Sequence, residues 1–311
     1  MYHSYLCTKQ TYMKEKVTEK TKRDPSEIIQ IFNDVNIKLL CCRYWVLDEW
    51  ECNDFSVPFW RIYHNTIAGA KIYFENTVVE PQKGIIVIIP PHTKFATRLK
   101  QDNNSEESIS GRKIRNNETL DIIEKDNKID HLFIHFSLGF PLDFAKKGVN
   151  VISCDDYTYN LIQRIQKSCK DDTIFSFNEC MQIKQLISDS LLHLKNDTWK
   201  YETIDQRVFI AMRTIEKNFK LKITNEELAE KANMAVNSFS RLFKISTGIS
   251  IQQYVIKVKV ENACSIMHHT DKTIDEIAFE CGFFDRHHFS KTFKKVMNVT
   301  PVYYKKRLTM N

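Results

Sequence analysis

Apolar and polar positions alternate with a period near two through much of the first half of this chain. Segments 37–45, 59–65, 70–80, 83–89 and 131–138 are rich in Ile, Val, Tyr, Phe and Trp. Pro, Gly or Asn falls between several of them, which predicts a series of β-strands. In the last segment Leu132, Ile134, Phe136 and Leu138 share one face, and His131, Phe133, His135 and Ser137 share the other. The mixed face either lines a barrel lumen or meets water. Residues 101–130, dominated by Asn, Asp, Glu, Lys and Ser, read as a long solvated loop interrupting the sheet. Ahead of the strands, residues 1–23 read as a mobile tail. Asp24-Pro25-Ser26-Glu27 then supplies an N-cap with Pro at the first helical position, predicting a short helix to about Val35.

From Tyr157 the period lengthens towards 3.6. Leu161, Ile162 and Ile165, then Met181, Ile183, Leu186, Ile187, Leu191 and Leu194, lie at helical spacings and predict two joining helices. The second stripe serves either as core or as a helix-to-helix dimer face.

Beyond residue 202 a unit of about 50 residues occurs twice. Thr224, Glu227, Leu228 and Ala229 return as Thr273, Glu276, Ile277 and Ala278. Phe239, Ser240, Arg241, Phe243 and Lys244 return as Phe289, Ser290, Lys291, Phe293 and Lys294, after a turn one residue longer in the second copy. Each copy opens with Thr and a Glu three residues on, the spacing of a capping box, and its apolar-Ala pair leaves room for a second helix. That second helix carries Phe239, Leu242 and Phe243, or Phe289 and Phe293, on one face. Asn237, Ser238, Ser240, Arg241 and Lys244, or Arg286, His287, His288, Ser290, Lys291 and Lys294, are its polar and basic positions. One face docks on its own domain, and the other can meet base edges and phosphates. The bland alternative is a helical hairpin duplicated for packing alone.

Charge supports the polyanion reading. Residues 203–311 hold 18 Lys and Arg against 11 Asp and Glu, a net of +7 in a chain whose total is +6. The positive charge therefore sits in the repeat, where neutralising phosphates would release condensed counterions. No apolar run reaches the roughly 18 residues needed to cross a bilayer, and no secretion signal opens the chain, so a cytoplasmic protein is expected. The nine cysteines form an odd set without a CxxC pair, which argues against a disulfide framework and a zinc finger.

Residues 203–307 resemble the DNA-binding domain of the AraC/XylS family of bacterial transcription regulators. The resemblance rests on Ser240 to Lys244 (SRLFK), Gly248, Ser250, Tyr254, Ala263, the run DEIAFECGF from Asp275, the run FSKTFKK from Phe289 and the Thr300-Pro301 ending. It implies that a connecting helix, 252–268, presents both recognition helices to successive major grooves, about 34 Å apart. Ile251 stands where the family usually has Pro, Lys257 and Asn262 where Arg is common, and Asn298 where Gly is typical. Asn tolerates the left-handed conformation that Gly would adopt.

The resemblance also implies a variable N-terminal domain, commonly a small cupin-like barrel, that senses a small molecule or mediates dimerisation. Residues 83–95 and 131–139 look like two of its strands. Arg61, His64, His92, His131 and His135 are the candidate ligand-binding residues; Trp45, Trp50 and Trp60 either line such a site or belong to the core. Hydrogen-bonded or surface histidines are the plainer reading. A metal is not expected, because no HxH cluster with a Glu at strand spacing is present.

The expectation is an α+β protein: a tail (1–24), a cupin-like β-barrel domain (25–155), linker helices (156–202) and an all-α domain with two helix-turn-helix units (203–311). It is read as a non-enzymatic, ligand-responsive transcription regulator without cofactor. Its expected partners are double-stranded DNA, a second copy of itself, a small-molecule effector and RNA polymerase, with no membrane. The rival readings are a metal-dependent cupin enzyme targeted to DNA and a regulator controlled by a protein partner.

Overall fold

A computed structural model describes residues 35–99, 108–115, 118–139, 142–171, 174–199 and 205–309. The expected tail and the short helix before Val35 lie outside the described residues. The first half is a nearly closed antiparallel β-barrel. Its nine strands are β1 (Lys38–Phe55), β2 (Trp60–His64), β3 (Lys71–Phe74), β4 (Thr77–Val79), β5 (Ile85–Ile89), β6 (Phe95–Arg98), β7 (Ser108–Lys113), β8 (Ile129–Ser137) and β9 (Asn150–Ser153). They run in the order β4-β3-β6-β1-β8-β2-β5-β9, with β7 added on β1. The long β1 serves both ends of the sheet because register shifts between Leu39 and Cys41, Leu47 and Glu49, and Cys52 and Phe55 bend it.

Three expectations change here. The segment 101–130 is not one long loop: it contains β7 and the helix α1 (Leu120–Lys125). Ser108–Lys113 reads as polar because its backbone pairs with β1 while its side chains stay half-buried or exposed. Segment 70–80 is a hairpin rather than one strand, turning at Glu75, whose φ is 49°. Segment 37–45 continues to Phe55 as a single bent strand.

Period two sorts the side chains as expected. Trp60 and Ile62 of β2 and Leu132, Ile134 and Phe136 of β8 face a core completed by α2 (Asp156–Asp171) and α3 (Phe177–Leu192). Leu161, Ile162, Ile165, Ile183, Leu186, Ile187 and Leu194 are buried in it and Leu191 packs against it, so the second helical stripe is core except at Met181, which is exposed. The opposite face, with Trp50, Tyr63, Val87, Ile89 and Phe95, packs inside the barrel.

The second half is helical: α4 (Gln206–Asn218), α5 (Asn225–Lys231), α6 (Val236–Thr247), α7 (Ile251–His269), α8 (Ile274–Glu280), α9 (Arg286–Met297) and α10 (Pro301–Thr309). Two cores meet along α7. Ile251, Tyr254, Val255 and Val258 join one with α4, α5 and α6, and Val260, Ala263, Cys264 and Met267 join another with α8 and α9. No helix among the described residues is long and apolar enough to cross a membrane.

Candidate nucleic-acid interface

Each unit begins with the capping box its sequence spells. The Thr224 hydroxyl accepts from the Glu227 backbone N–H, the Thr273 hydroxyl from that of Glu276, and the Glu side chains reach back to the Thr N–H groups. Two of the four orphan N–H groups at each helix start are thereby satisfied. The turns share a left-handed residue, Asn233 with φ 51° and Gly282 with φ 69°. Glycine is required at the second for another reason: a Cβ there would lie 2.2 Å from the Lys220 carbonyl oxygen. Lys259 Nζ, reaching from α7, donates to the Gly282 carbonyl at 2.6 Å. Backbone and connecting helix thus lock the second turn against the start of the first unit.

The expected division of each recognition helix is present. In α6, Phe239 and Phe243 are fully buried, while Asn237, Ser238, Arg241 and Lys244 are exposed and Ser240 is half-buried. In α9, Phe289 and Phe293 are buried, with Arg286, His287, His288, Lys291 and Lys294 exposed and Ser290 half-buried. Each polar set faces outward because the phenylalanines, four residues apart, fix the buried face. Asp285 caps α9 by accepting from the His288 N–H at 2.7 Å. Gly248 and Asn298 end the two helices in the left-handed conformation, with φ 77° and 60°, so Asn298 fills the role that Gly has in the family resemblance.

One contact divides the units. Arg286 Nη1 lies 2.9 Å from Asp275 Oδ2, whereas Arg241 forms no ion pair among the described residues. Arg241 is free to extend from the exposed face, whereas Arg286 must leave Asp275 to do the same, a small cost because both side chains of that pair are more than half exposed.

The barrel candidates do not converge on one pocket. Arg61, His131 and His135 are buried on the inner face, with the His131 ring 4.7 Å from Trp50 and 5.0 Å from Tyr63. His131 Nδ1–H donates to Asn65 Oδ1 at 2.7 Å. His64 points the other way, towards α2, where its ring lies 6.3 Å from Tyr159. His92, at the rim, meets Glu261 of α7 at 3.2 Å. Trp45 leans over Phe133, Trp50 packs inside the barrel, and Trp60 stacks on Phe136 in the helix-side core. Burial holds His64 down at about 4 and His131 down at about 3, so both are neutral near pH 7.

The barrel also touches the connecting helix. Phe59 packs against the rings of His268 and His269 at the end of α7, with centroids 5.1 and 5.0 Å away. Lys257 Nζ sits 4.9 Å from the Phe144 ring. These contacts were invisible in the sequence, where no spacing joins residues so far apart.

The fold and this surface together define a tandem helix-turn-helix domain attached to a β-barrel. Residues 228–307 match the helix-turn-helix domain family. The HTH-type transcriptional activator RhaS of Mannheimia succiniciproducens is 32% identical over 146 residues, 47% of this chain and 53% of that protein. The probable transcriptional regulator LumQ of Photobacterium leiognathi is 28% identical over 165 residues, 52% of this chain and 65% of that protein. The chain spans about half or less of the length of the RhaS relatives it matches. Among solved structures, ToxT of Vibrio cholerae superposes with a TM-score of 0.47 at 12% identity, covering 86% of this chain and 98% of that one. Family model and RhaS relatives alike are thus of the helix-turn-helix type, and the family match lies within the C-terminal helical domain.

Proposed function

We propose that this protein is a sequence-specific transcription regulator that sets α6 and α9 into successive major grooves on one face of DNA. One observation carries the reading: two capped helix-turn-helix units, each with a polar, largely exposed recognition face, are built on opposite halves of the single helix α7. A rigid connector is what a fixed spacing of about one helical turn requires. The net charge of +7 over residues 203–311 supplies the phosphate affinity. Asn237, Ser238, Ser240 and Arg241 suit base edges, and Arg286, His287, His288, Ser290, Lys291 and Lys294 mix base and phosphate contacts, with Lys244 on a phosphate.

In the same reading the barrel is the sensory half, and no enzymatic step is assigned to it. Arg61, His131 and His135 line its inner face and would meet a small-molecule effector there; His92 would relay its presence through Glu261. The chain works as a homodimer on DNA in the cytoplasm and recruits RNA polymerase. Phe177, Met181 and Leu192 support the dimer: all three are exposed, and helical geometry puts them within about 60° of one another on the outer face of α3. Selecting sites from a random duplex pool with the purified chain tests the function. Enrichment of a site with two half-elements about one turn apart is expected; failure to enrich any sequence contradicts it.

A further inference from the structure

The row of residues crossing β1, β8 and β2 at the barrel mouth has a composition that DNA binding does not use. Cys41 pairs in register with His135, and His135 with Arg61, so these three side chains share the inner face of three adjacent strands. The end of α7 closes over them. His135 Nδ1 lies 3.0 Å from His269 Nε2, and ligand atoms of Cys41, His135 and His269 all fall within 4.8 Å of one another. Among the described residues this is the one group of three such ligands.

From this geometry we infer that Cys41, His135 and His269 form a binding site for a closed-shell, thiophilic metal ion, Zn(II) or Cu(I), that ties the barrel to the connecting helix.

The ligand atoms are prepared for that role. His269 Nδ1 donates to the Ser265 carbonyl at 2.6 Å, which leaves a lone pair on the Nε2 that faces His135. A backbone carbonyl on the far nitrogen is the support that metal-bound imidazoles commonly have. Burial pushes His269 down to about 4 and His135 well below its ordinary value, so both imidazoles are neutral near pH 7; His135 Nδ1, whose N–H points to His269 Nε2 without metal, coordinates once that proton moves to its Nε2. Ligands bonded at about 2.0 Å for nitrogen and 2.3 Å for sulfur sit roughly 3.3–3.7 Å apart in a tetrahedral site. The nitrogens, at 3.0 Å, must open slightly and the sulfur must close, which side-chain rotation provides. One thiolate with two imidazoles selects soft or borderline ions over magnesium or calcium.

Charge decides which ions fit. Arg43, Arg61 and Lys38 act electrostatically on these histidines and oppose a cation. Two features answer them. His269 is the last residue of α7, where the partial negative end of the helix favours positive charge. The Cys41 thiol, pushed up to about 12 by burial, becomes a thiolate when it binds, releasing a proton and cancelling one charge of the ion. A Cu(I) complex would be neutral and a Zn(II) complex would carry a single charge. Zn(II) would add a water as fourth ligand, and Cu(I) is satisfied by three.

Occupancy would fix α7, and with it both recognition units, relative to the barrel. That consequence rests on the regulator reading; the site itself does not. The test uses the full chain, stripped of metal under reducing conditions. Zn(II) and Cu(I) are titrated separately in competition with chelators of known affinity, and Co(II) serves as the spectroscopic probe of the thiolate. One equivalent of Zn(II) or Cu(I) is expected, with affinity falling roughly 100-fold or more in Cys41→Ser and in His269→Ala. A thiolate-to-Co(II) charge-transfer band is expected in the unsubstituted chain and not in Cys41→Ser. Cys41→Ser changes one atom and keeps the His135–His269 contact, so it tests the ligand apart from the interface. Equal affinity in the unsubstituted chain and both variants overturns the site, as does a Co(II) band that survives Cys41→Ser. DNA affinity is measured on the same samples. A chain that binds DNA but no metal defeats the site alone, and one that binds metal but no DNA defeats the regulator reading alone.

Discussion

Arg286 is tied to Asp275 at 2.9 Å, while Arg241, on the recognition helix of the other unit, has no such partner among the described residues. The repeat explains the asymmetry. Arg286 in the second copy corresponds to Val236 in the first, and Asp275 to Glu226, so the first unit keeps the acid but lacks a base at the helix start. The two helices are therefore expected to respond differently to substitution.

Arg241→Ala should cost about 1–3 kcal/mol on a selected site and relax preference at one base position, as expected of a lost bidentate guanine contact. Lys294→Ala should weaken all sequences alike and reduce the salt slope by about one. Binding of both variants to a selected and a scrambled duplex at two salt concentrations separates them. Equal losses for Arg241→Ala on both duplexes would remove its base-reading role.

Asp275→Asn releases Arg286 and removes an anion from the DNA-facing side. DNA affinity should rise several-fold at low salt and less at high salt, with stability changed by under about 1 kcal/mol because the pair is exposed. Fluorescence anisotropy and urea unfolding provide both numbers. A fall in affinity at unchanged stability would mean that Asp275 positions Arg286 for its contact.

Gly282→Ala should destabilise the C-terminal domain by about 2–4 kcal/mol, combining the left-handed backbone with the clash against the Lys220 carbonyl. Gly248 also has positive φ, but nothing lies within 4 Å of its would-be Cβ. Gly248→Ala should therefore cost about 1 kcal/mol. Urea denaturation of the two variants compares them, and equal losses would show that the close approach contributes nothing.

The barrel should lose stability as pH falls below about 6.5. His64 and His131 have folded-state values of about 4 and 3, below the ordinary 6.5, so the unfolded chain binds more protons throughout that window. Their contribution is complete above pH 6.5 and declines progressively towards the folded values. Between pH 6.5 and 5.5 each should cost roughly 1 kcal/mol. Chemical denaturation at pH 7.5 and 5.5 checks this, and His64→Gln should flatten the dependence. An unchanged slope in that variant would assign the acid sensitivity elsewhere.

What the sequence disclosed depended on locality. Capping boxes, turns and the phenylalanine faces of α6 and α9 are set by residues within one turn or one helix, so the repeat displayed them directly. β7 escaped because Ser108–Lys113 is held by backbone pairing and carries no apolar alternation. β6, with four residues, is too short to show a period. The split of the barrel candidates follows from the strand period: Arg61 and His64 are three apart on one strand, so they face opposite sides. The Cys41, His135 and His269 group could not be read, since only strand register and the docking of α7 bring them together.

The central claim, that residues 203–311 give this chain its affinity for duplex DNA, is tested most directly by the salt dependence of DNA binding by the full chain. The observed association constant should fall steeply with salt, with a slope of log affinity on log salt several units negative, and Lys294→Ala with Lys244→Ala should make it shallower by about two. A chain that ignores duplex DNA at low salt, or whose slope is unaffected by removing both lysines, would contradict the account.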